Sequence, residues 1–289
     1  MQERKHLYIF IAITFGLSIL LSLFIGLTGG HESKFISLRF ASMPIPAVAV
    51  LVMTNVYKAP VAEIRWNKFS VGWFVLALLL MPVVIHVVCL TLMAVLNDGH
   101  LPWQSWLTIK KEGLYISPDN FGWGNLTAGE LVLKIFINAI TGVIIVSLLA
   151  FFEEIGWRAW MLPRLIQKFG VKKAIFIGAM IWALWHVPFM LSGILYLKAV
   201  PVYLIALINP FGIFGAGLVI GWLWVKTKNI WLVSIAHGAL NNWGQYAFKY
   251  MQNSATNLSS QQIWLFAGVN GSLFILGIII FFRMKKAKL

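Results

Sequence analysis

The stretch LYIFIAITFGLSILLSLFIGL, residues 7–27, runs for 21 residues without a charged side chain. An α-helix needs about 20 predominantly apolar residues to cross the hydrocarbon core of a bilayer, so this run is long enough to span a membrane. It also lacks the small-residue cleavage site that ends a secretory signal peptide. We therefore predict that it is a retained first transmembrane helix.

The composition of the whole chain is also that of a membrane protein. Of its 289 residues, 60% are hydrophobic and 11% are charged, and the mean hydropathy is +0.83. A soluble domain carries about 25% charged residues, so these values exclude that class and indicate a multi-pass membrane protein. The single cysteine, Cys89, lies in an apolar run, which excludes an intramolecular disulfide and a multi-cysteine metal site.

Runs of similar length recur along the chain. The predicted spanning segments cover about 7–28, 40–57, 70–96, 130–162, 173–196, 202–225, 229–249 and 262–283. All should be helices, because hydrocarbon offers the backbone no other hydrogen-bonding partner. We predict an all-α, polytopic transmembrane helical bundle of about eight spanning helices. It forms a single integral-membrane domain, 1–289, with a motif-bearing catalytic core at about 130–250.

The net charge of +14 comes from short basic clusters between the apolar runs. This distribution indicates topology signals and not a nucleic-acid-binding surface. Lys and Arg concentrate in cytoplasmic loops of membrane proteins. With the N-terminus in the cytoplasm, the inside loops hold Lys58, Arg65, Lys68, Arg164, Lys168, Lys172, Lys173, Lys226, Lys228, Arg283, Lys285, Lys286 and Lys288. We expect a multi-pass protein of the cell membrane with both termini cytoplasmic and the longest loop, 97–128, outside.

Three apolar segments nevertheless contain strongly polar residues. FFEEIGWRAW, residues 151–160, carries two glutamates and an arginine, while WALWH ends in His186 and AHGALNN contains His237 and Asn241. Ionisable side chains inside a membrane are costly and usually functional. An isolated histidine, such as His86, is more often a structural hydrogen-bond partner of a neighbouring helix.

The depths of these polar residues agree with one another. At 1.5 Å per helical residue, measured from the nearest cytoplasmic basic residue, Glu153, His186, His237 and Asn241 lie about 14 to 20 Å inside the membrane. Unrelated structural residues on three different spans would have no reason to share one depth. We therefore expect these side chains to form one site.

Spacing along the first of these helices separates the roles of its charges. Glu154 and Arg158 are four residues apart, so they share a helix face and can form an ion pair. Pairing would keep Glu154 ionised and structural. Glu153 then points elsewhere and is the candidate general base.

The same four-residue spacing recurs on the other two helices. His237 and Asn241 stack two hydrogen-bonding groups on one face, and Trp182 can wall a pocket and fix the imidazole of His186. This set suits amide hydrolysis by an activated water. Glu153, helped by His186, would take the proton, and His237 and Asn241 would donate hydrogen bonds to the oxyanion.

Two other classes of protein fit the same polar residues. A proton-coupled transporter also uses glutamate and histidine inside the membrane, and a non-catalytic immunity or scaffold protein could keep the polar site for binding. Replacement of Glu153 by glutamine removes the base but preserves the size of the side chain. It should therefore abolish proteolysis and largely spare a role in binding.

The three motifs together resemble the CAAX-protease and bacteriocin-processing family of intramembrane endopeptidases, which includes Abi-type immunity proteins. Its EExxxR motif corresponds to Glu153, Glu154 and Arg158, and its HxxxN motif to His237 and Asn241. Its FxxxH motif corresponds to Trp182 and His186, with Trp in place of Phe. The resemblance covers about 130–250.

The resemblance implies a cytoplasm-facing cavity in a helical bundle and cleavage of a membrane-associated peptide or protein. It also implies that the glutamate and histidine of the first two motifs activate water. Bacteriocin maturation or immunity is one setting that it suggests. Glu153, His186 and His237 could supply a zinc site with an open position for water, although there is no HExxH motif, so the metal-dependent and metal-free alternatives both stay open.

Overall fold

The computed structural model describes residues 2–60, 64–67, 69–96, 107–110, 113–116, 126–197, 200–253 and 261–284. Eleven α-helices make up most of this part of the chain. They are α1 Gln2–Leu27, α2 Ile45–Asn55, α3 Val71–Leu96, α4 Ala128–Ile137, α5 Val143–Glu154, α6 Leu162–Phe169, α7 Val171–Trp185, α8 Val187–Leu191, α9 Val202–Thr227, α10 Ile230–Asn253 and α11 Gln262–Arg283.

Shorter elements connect these helices. Two 3₁₀ segments, Gly30–Glu32 and Ile36–Ser42, lie between α1 and α2, and two π-helical segments, Asn138–Gly142 and Ile155–Met161, interrupt the long helix formed by α4, α5 and α6. Strands β1 Leu107–Lys110, β2 Gly113–Ile116 and β3 Leu126–Thr127 form a small antiparallel sheet in the order β1-β2-β3. They belong to the predicted loop 97–128, most of which lies outside the described residues.

The prediction of an all-α, polytopic membrane bundle is confirmed. Six helical stretches of the described chain are long and apolar enough to cross a membrane: Glu3–Leu27, Val71–Leu96, Val132–Phe169, Val171–Leu191, Val202–Thr227 and Gln262–Arg283. The bent pair Ile36–Ser42 and Ile45–Asn55 would make a seventh span. Seven of the eight predicted segments overlap these stretches. The eighth, 229–249, forms α10, whose histidine, asparagines, glutamine and lysine make it too polar for the same criterion.

Contacts between helix ends gather several of the basic residues on one face. Arg164 donates a hydrogen bond to the carbonyl oxygen of Pro60 at 3.0 Å, and the amide of Asn67 donates to the carbonyl oxygen of Lys228 at 3.1 Å. Lys172 reaches the carbonyl oxygen of Phe282 at 3.5 Å. We call this end of the bundle the basic face. Lys68 and the lysines after residue 284 lie outside the described residues.

The other helix ends meet at the opposite face. Gln261, before α11, donates a hydrogen bond to the carbonyl oxygen of Leu96 at the end of α3, at 2.9 Å. His31, after α1, stacks on Tyr196, after α8, with ring centroids 3.9 Å apart. We call this end the far face. The two faces provide the reference for the depth of every residue in the site.

Candidate active site

The first motif lies where the long helix changes from α to π geometry. The π-helical segment Ile155–Met161 begins directly after Glu154, and such segments are frequent at functional sites. Gly156 lets this segment lie against α2, because a Cβ at this position would collide with Pro46. The motif is thus packed tightly against the neighbouring helix.

The predicted ion pair is present. A guanidinium nitrogen of Arg158 lies 2.9 Å from Oε1 of Glu154, and both side chains are buried, with relative exposures of 4% and 0%. A charge-assisted bond in a buried site is stronger than one in water. This arrangement supports the structural role that spacing alone predicted for Glu154.

Glu154 also holds a histidine from another helix. Nδ1 of His237, on α10, lies 2.9 Å from the same Oε1 atom and donates to it. The close approach of α10 to α5 depends on Gly238, since a Cβ there would collide with Ser147. His237 is therefore anchored to Glu154 by one ring nitrogen, which spacing within either helix could not predict.

Trp182 packs in the middle of this polar cluster. Its indole N–H donates a hydrogen bond to Oε2 of Glu153 at 3.1 Å. The guanidinium of Arg158 lies 4.7 Å from the centre of its ring, a cation–π distance, and the ring of His237 meets it edge-on at 5.1 Å. Glu153 is thus held by Trp182, while Arg158 pairs with Glu154, and Glu153 is 3% exposed.

The ring of His186 has a defined orientation. Nδ1 lies 2.8 Å from the carbonyl oxygen of Trp182, one turn earlier in α7. A carbonyl oxygen can only accept, so Nδ1 carries the proton, and in the neutral ring Nε2 is left with a lone pair. Trp182 therefore fixes the imidazole through its backbone carbonyl, and its indole also meets the ring edge-on, with ring centroids 5.2 Å apart.

A cavity of about 380 Å³ lies beside this histidine. Three predicted site residues line it: Trp182, His186 and Asn241. Glu153 and His237 do not belong to its lining. The prediction that all four reactive groups converge in one cavity therefore holds for His186 and Asn241 only, because Trp182 packs between Glu153 and the cavity.

Other polar residues in the cavity wall escaped the sequence analysis. Asn209 on α9 donates to the side-chain oxygen of Asn270 on α11 at 3.1 Å, and both line the cavity together with Arg39 and Gln245. Asn209 and Asn270 are polar residues within apolar runs, which is the signal that identified Asn241. Extending that test to every intramembrane asparagine would have found them.

The predicted zinc ligands do not come together in this arrangement. Within the part of the chain that the structure describes, no group of three His, Cys, Asp or Glu side chains could hold a metal ion. Nδ1 of His237 is bonded to Glu154, and Nδ1 of His186 is bonded to a carbonyl oxygen. The three residues therefore do not fit a zinc site in this arrangement.

Comparison with known proteins agrees with the motifs. Residues 133–243 match the family model described as type II CAAX prenyl endopeptidase Rce1-like. All seven residues of the three motifs lie within the matched region. No match is found among curated proteins. The similarity covers the part of the chain that carries the three motifs, and the first three predicted spans and the last one lie outside it.

Proposed function

We propose that this chain, whose residues 133–243 match the Rce1-like family model, is an intramembrane endopeptidase that cleaves a membrane-associated peptide or protein. One observation carries the proposal: Nε2 of His186 can accept a hydrogen bond from water at the wall of an apolar cavity that also contains the carboxamide of Asn241. A group that orients water beside a base and a group that donates a hydrogen bond to the oxyanion are what hydrolysis of an amide requires.

The proposed reaction uses water in this cavity. His186 orients the water, and Glu153 takes its proton as the oxygen attacks the carbonyl carbon of the substrate. Asn241 donates a hydrogen bond to the oxyanion that forms. The C–N bond then breaks, the proton passes to the leaving amine, and the products are a carboxylate and an amine.

Glu153 must gain access to the water for this step. Trp182 both binds Glu153 and lines the cavity, so a substrate in the cavity would touch the residue that covers the base. We propose that substrate binding turns the indole away from Glu153. Water would then reach the carboxylate only when the cavity is occupied.

Glu154, Arg158 and His237 would act as positioning residues in this reaction. Glu154 holds both of its partners at 2.9 Å, and His237 packs on Trp182. The sequence predicted a direct hydrogen bond from His237 to the oxyanion. The anchored position of His237 behind Trp182 supports an indirect role instead.

Comparative peptidomics tests the proposed activity. Membranes and medium from cells with the native protein and with the Glu153→Gln variant, at matched expression, should differ in peptides that only the native protein releases. The termini of those peptides identify the cleaved bond and provide a substrate for rate measurements. Identical peptide profiles would contradict proteolysis and favour a non-catalytic immunity protein or a transporter.

Bacteriocin precursors are suitable first substrates, because the motifs resemble those of a bacteriocin-processing family.

Replacement of Trp182 by phenylalanine tests the proposed cover over the base. Phenylalanine keeps a ring against the cavity but removes the N–H donor to Glu153. We expect the rate of peptide release to stay equal to that of the native protein or to rise, by up to about 10²-fold. The reason is that the hydrogen bond from the indole to the carboxylate of Glu153 is lost. A hydrogen bond to a charged group is worth about 1.5–3 kcal/mol, and this bond no longer opposes movement of the ring away from Glu153.

The matched control is Trp185→Phe in the same helix. Its indole N–H donates to Oγ of Ser18 at 2.7 Å and does not contact Glu153. This variant should lose stability without a gain in rate. A more than tenfold fall in rate for Trp182→Phe would show that the indole holds Glu153 in its reactive position and does not cover it.

Asn241→Asp tests the proposed oxyanion contact. The substitution keeps the shape of the side chain but replaces its NH₂ donor by a carboxylate oxygen, which repels the developing negative charge. We expect a fall in kcat of about 10²- to 10³-fold. Gln245→Ala, also at the exposed part of the cavity wall, should change kcat less than threefold. Equal effects of the two substitutions would contradict the role of Asn241.

A further inference from the structure

Most residues that line the cavity lie in the half of the bundle that is distant from the basic face. At 1.5 Å per residue, Ile85 is about 21 Å from the start of α3, which lies on the basic face, and Gln245 is about 22 Å from the start of α10. Asn209 is about 27 Å and Asn270 about 20 Å from the basic ends of α9 and α11. Four helices therefore contribute lining residues from their far portions.

The exposed lining residues show where the cavity opens. They are Arg39, Asn241 and Gln245, whereas the other lining residues are buried or half-buried. Arg39 belongs to the 3₁₀ segment Ile36–Ser42, which follows the far end of α1. The wall continues through Leu195, beyond α8 and next to the far-face contact of Tyr196. The opening is thus on the side of the far face.

The polar cluster closes the cavity toward the basic face. Glu153 lies about 16 Å from Arg164 along the helix, closer to the basic face than the lining residues Ile85 of α3 and Gln245 of α10. Trp157, Trp160 and Met161, between this cluster and the basic face, are each at most 1% exposed. A substrate from that side would have to pass a packed layer of large side chains.

The charge distribution identifies the cytoplasmic side. Basic residues collect in the cytoplasmic loops of multi-pass proteins, so the basic face should be cytoplasmic. From the proposed proteolytic function we infer that the cavity takes its substrate from the side of the membrane opposite the cytoplasm, as an apolar peptide segment. This differs from the cytoplasm-facing cavity that family resemblance implies. The wall supports an apolar segment, because most of its residues, such as Ile85, Met190 and Leu273, are apolar.

Cysteine labelling tests this inference without any measurement of activity. The chain contains one cysteine, Cys89, which is buried, so the parent protein serves as the unlabelled blank. The test variants are Gln245→Cys in the cavity wall and Arg39→Cys at its opening. Lys168→Cys, at an exposed position of the basic face, is the matched control. A membrane-impermeant maleimide is applied to intact bacterial cells and to inverted membrane vesicles.

We expect the two cavity cysteines to react at least tenfold faster in intact cells than in inverted vesicles, and the control cysteine to show the reverse preference. Reaction of the cavity and control cysteines from the same side would overturn the inference, as would reaction of the cavity cysteines from the cytoplasmic side. Labelling from neither side would show that the cavity opens into lipid, which also overturns it. Peptidomics with Glu153→Gln reports on the proteolytic function separately, so the two failures are distinguishable.

Discussion

Replacement of Glu153 by glutamine is expected to lower the rate of peptide release by about 10²- to 10⁴-fold, the usual contribution of a general base. The amide oxygen of glutamine can still accept the hydrogen bond from the indole N–H of Trp182, which lies 3.1 Å from Oε2 of the native carboxylate. It cannot take a proton from water. The rate is measured with a peptide substrate identified from the native protein, at matched enzyme concentration.

The same substitution should have little effect on the folded state. Glutamine fills the same volume and carries no charge in a site where Glu153 is 3% exposed. We expect the folded yield and the Tm in detergent to equal or exceed those of the native protein. A Glu153→Gln variant with a rate within tenfold of the native value would remove Glu153 from the reaction and leave His186 as the base.

Arg158→Ala is expected to lower the free energy of unfolding by about 3–5 kcal/mol, because it leaves the carboxylate of Glu154 buried without its counter-charge. Glu154 is 0% exposed and would keep only His237 as a hydrogen-bond donor. The substitution also removes the guanidinium that packs 4.7 Å from the ring centre of Trp182. Unfolding in mixed detergent micelles measures this loss, and the folded yield should fall with it.

A double variant separates lost charge pairing from lost packing. Glu154→Gln combined with Arg158→Met removes both charges and keeps two long side chains, and glutamine can still accept from Nδ1 of His237. Replacement of a buried ion pair by groups of similar volume is often nearly neutral, so the double variant should recover most of the stability that Arg158→Ala loses. If Arg158→Ala is as stable as the native protein, the buried pair has no structural role.

These variants test whether two adjacent glutamates have different roles, Glu153 in the reaction and Glu154 in the stability of the fold. Loss of Glu153 should remove activity and spare the fold, while loss of the pairing at Glu154 should damage the fold first. A proton-coupled transporter would instead show flux that depends on a pH gradient, with no change in peptide profile. The contrast therefore distinguishes the proposed protease from both other classes that the sequence allows.

The sequence by itself determined the class of protein and the location of its polar site. Apolar runs of about 20 residues indicate membrane helices, because only that length matches the hydrocarbon core. Charges within such a run stand out, since burying them costs free energy that ordinary packing does not repay. The pairing of Glu154 with Arg158 was also predictable, because residues four positions apart on one helix are necessarily neighbours.

Only the tertiary structure decided which of these residues share a cavity. Glu154 and His237 meet across 83 positions of sequence, and their contact depends on how closely α10 approaches α5 at Gly238 and Ser147. The position of Trp182 between Glu153 and the cavity depends likewise on a contact between two helices, the hydrogen bond from Trp182 on α7 to Glu153 on α5. Spacing within a helix defines neighbours on that helix alone, whereas the distance and rotation between helices follow from the packing of many side chains. The direction in which the cavity opens has the same origin.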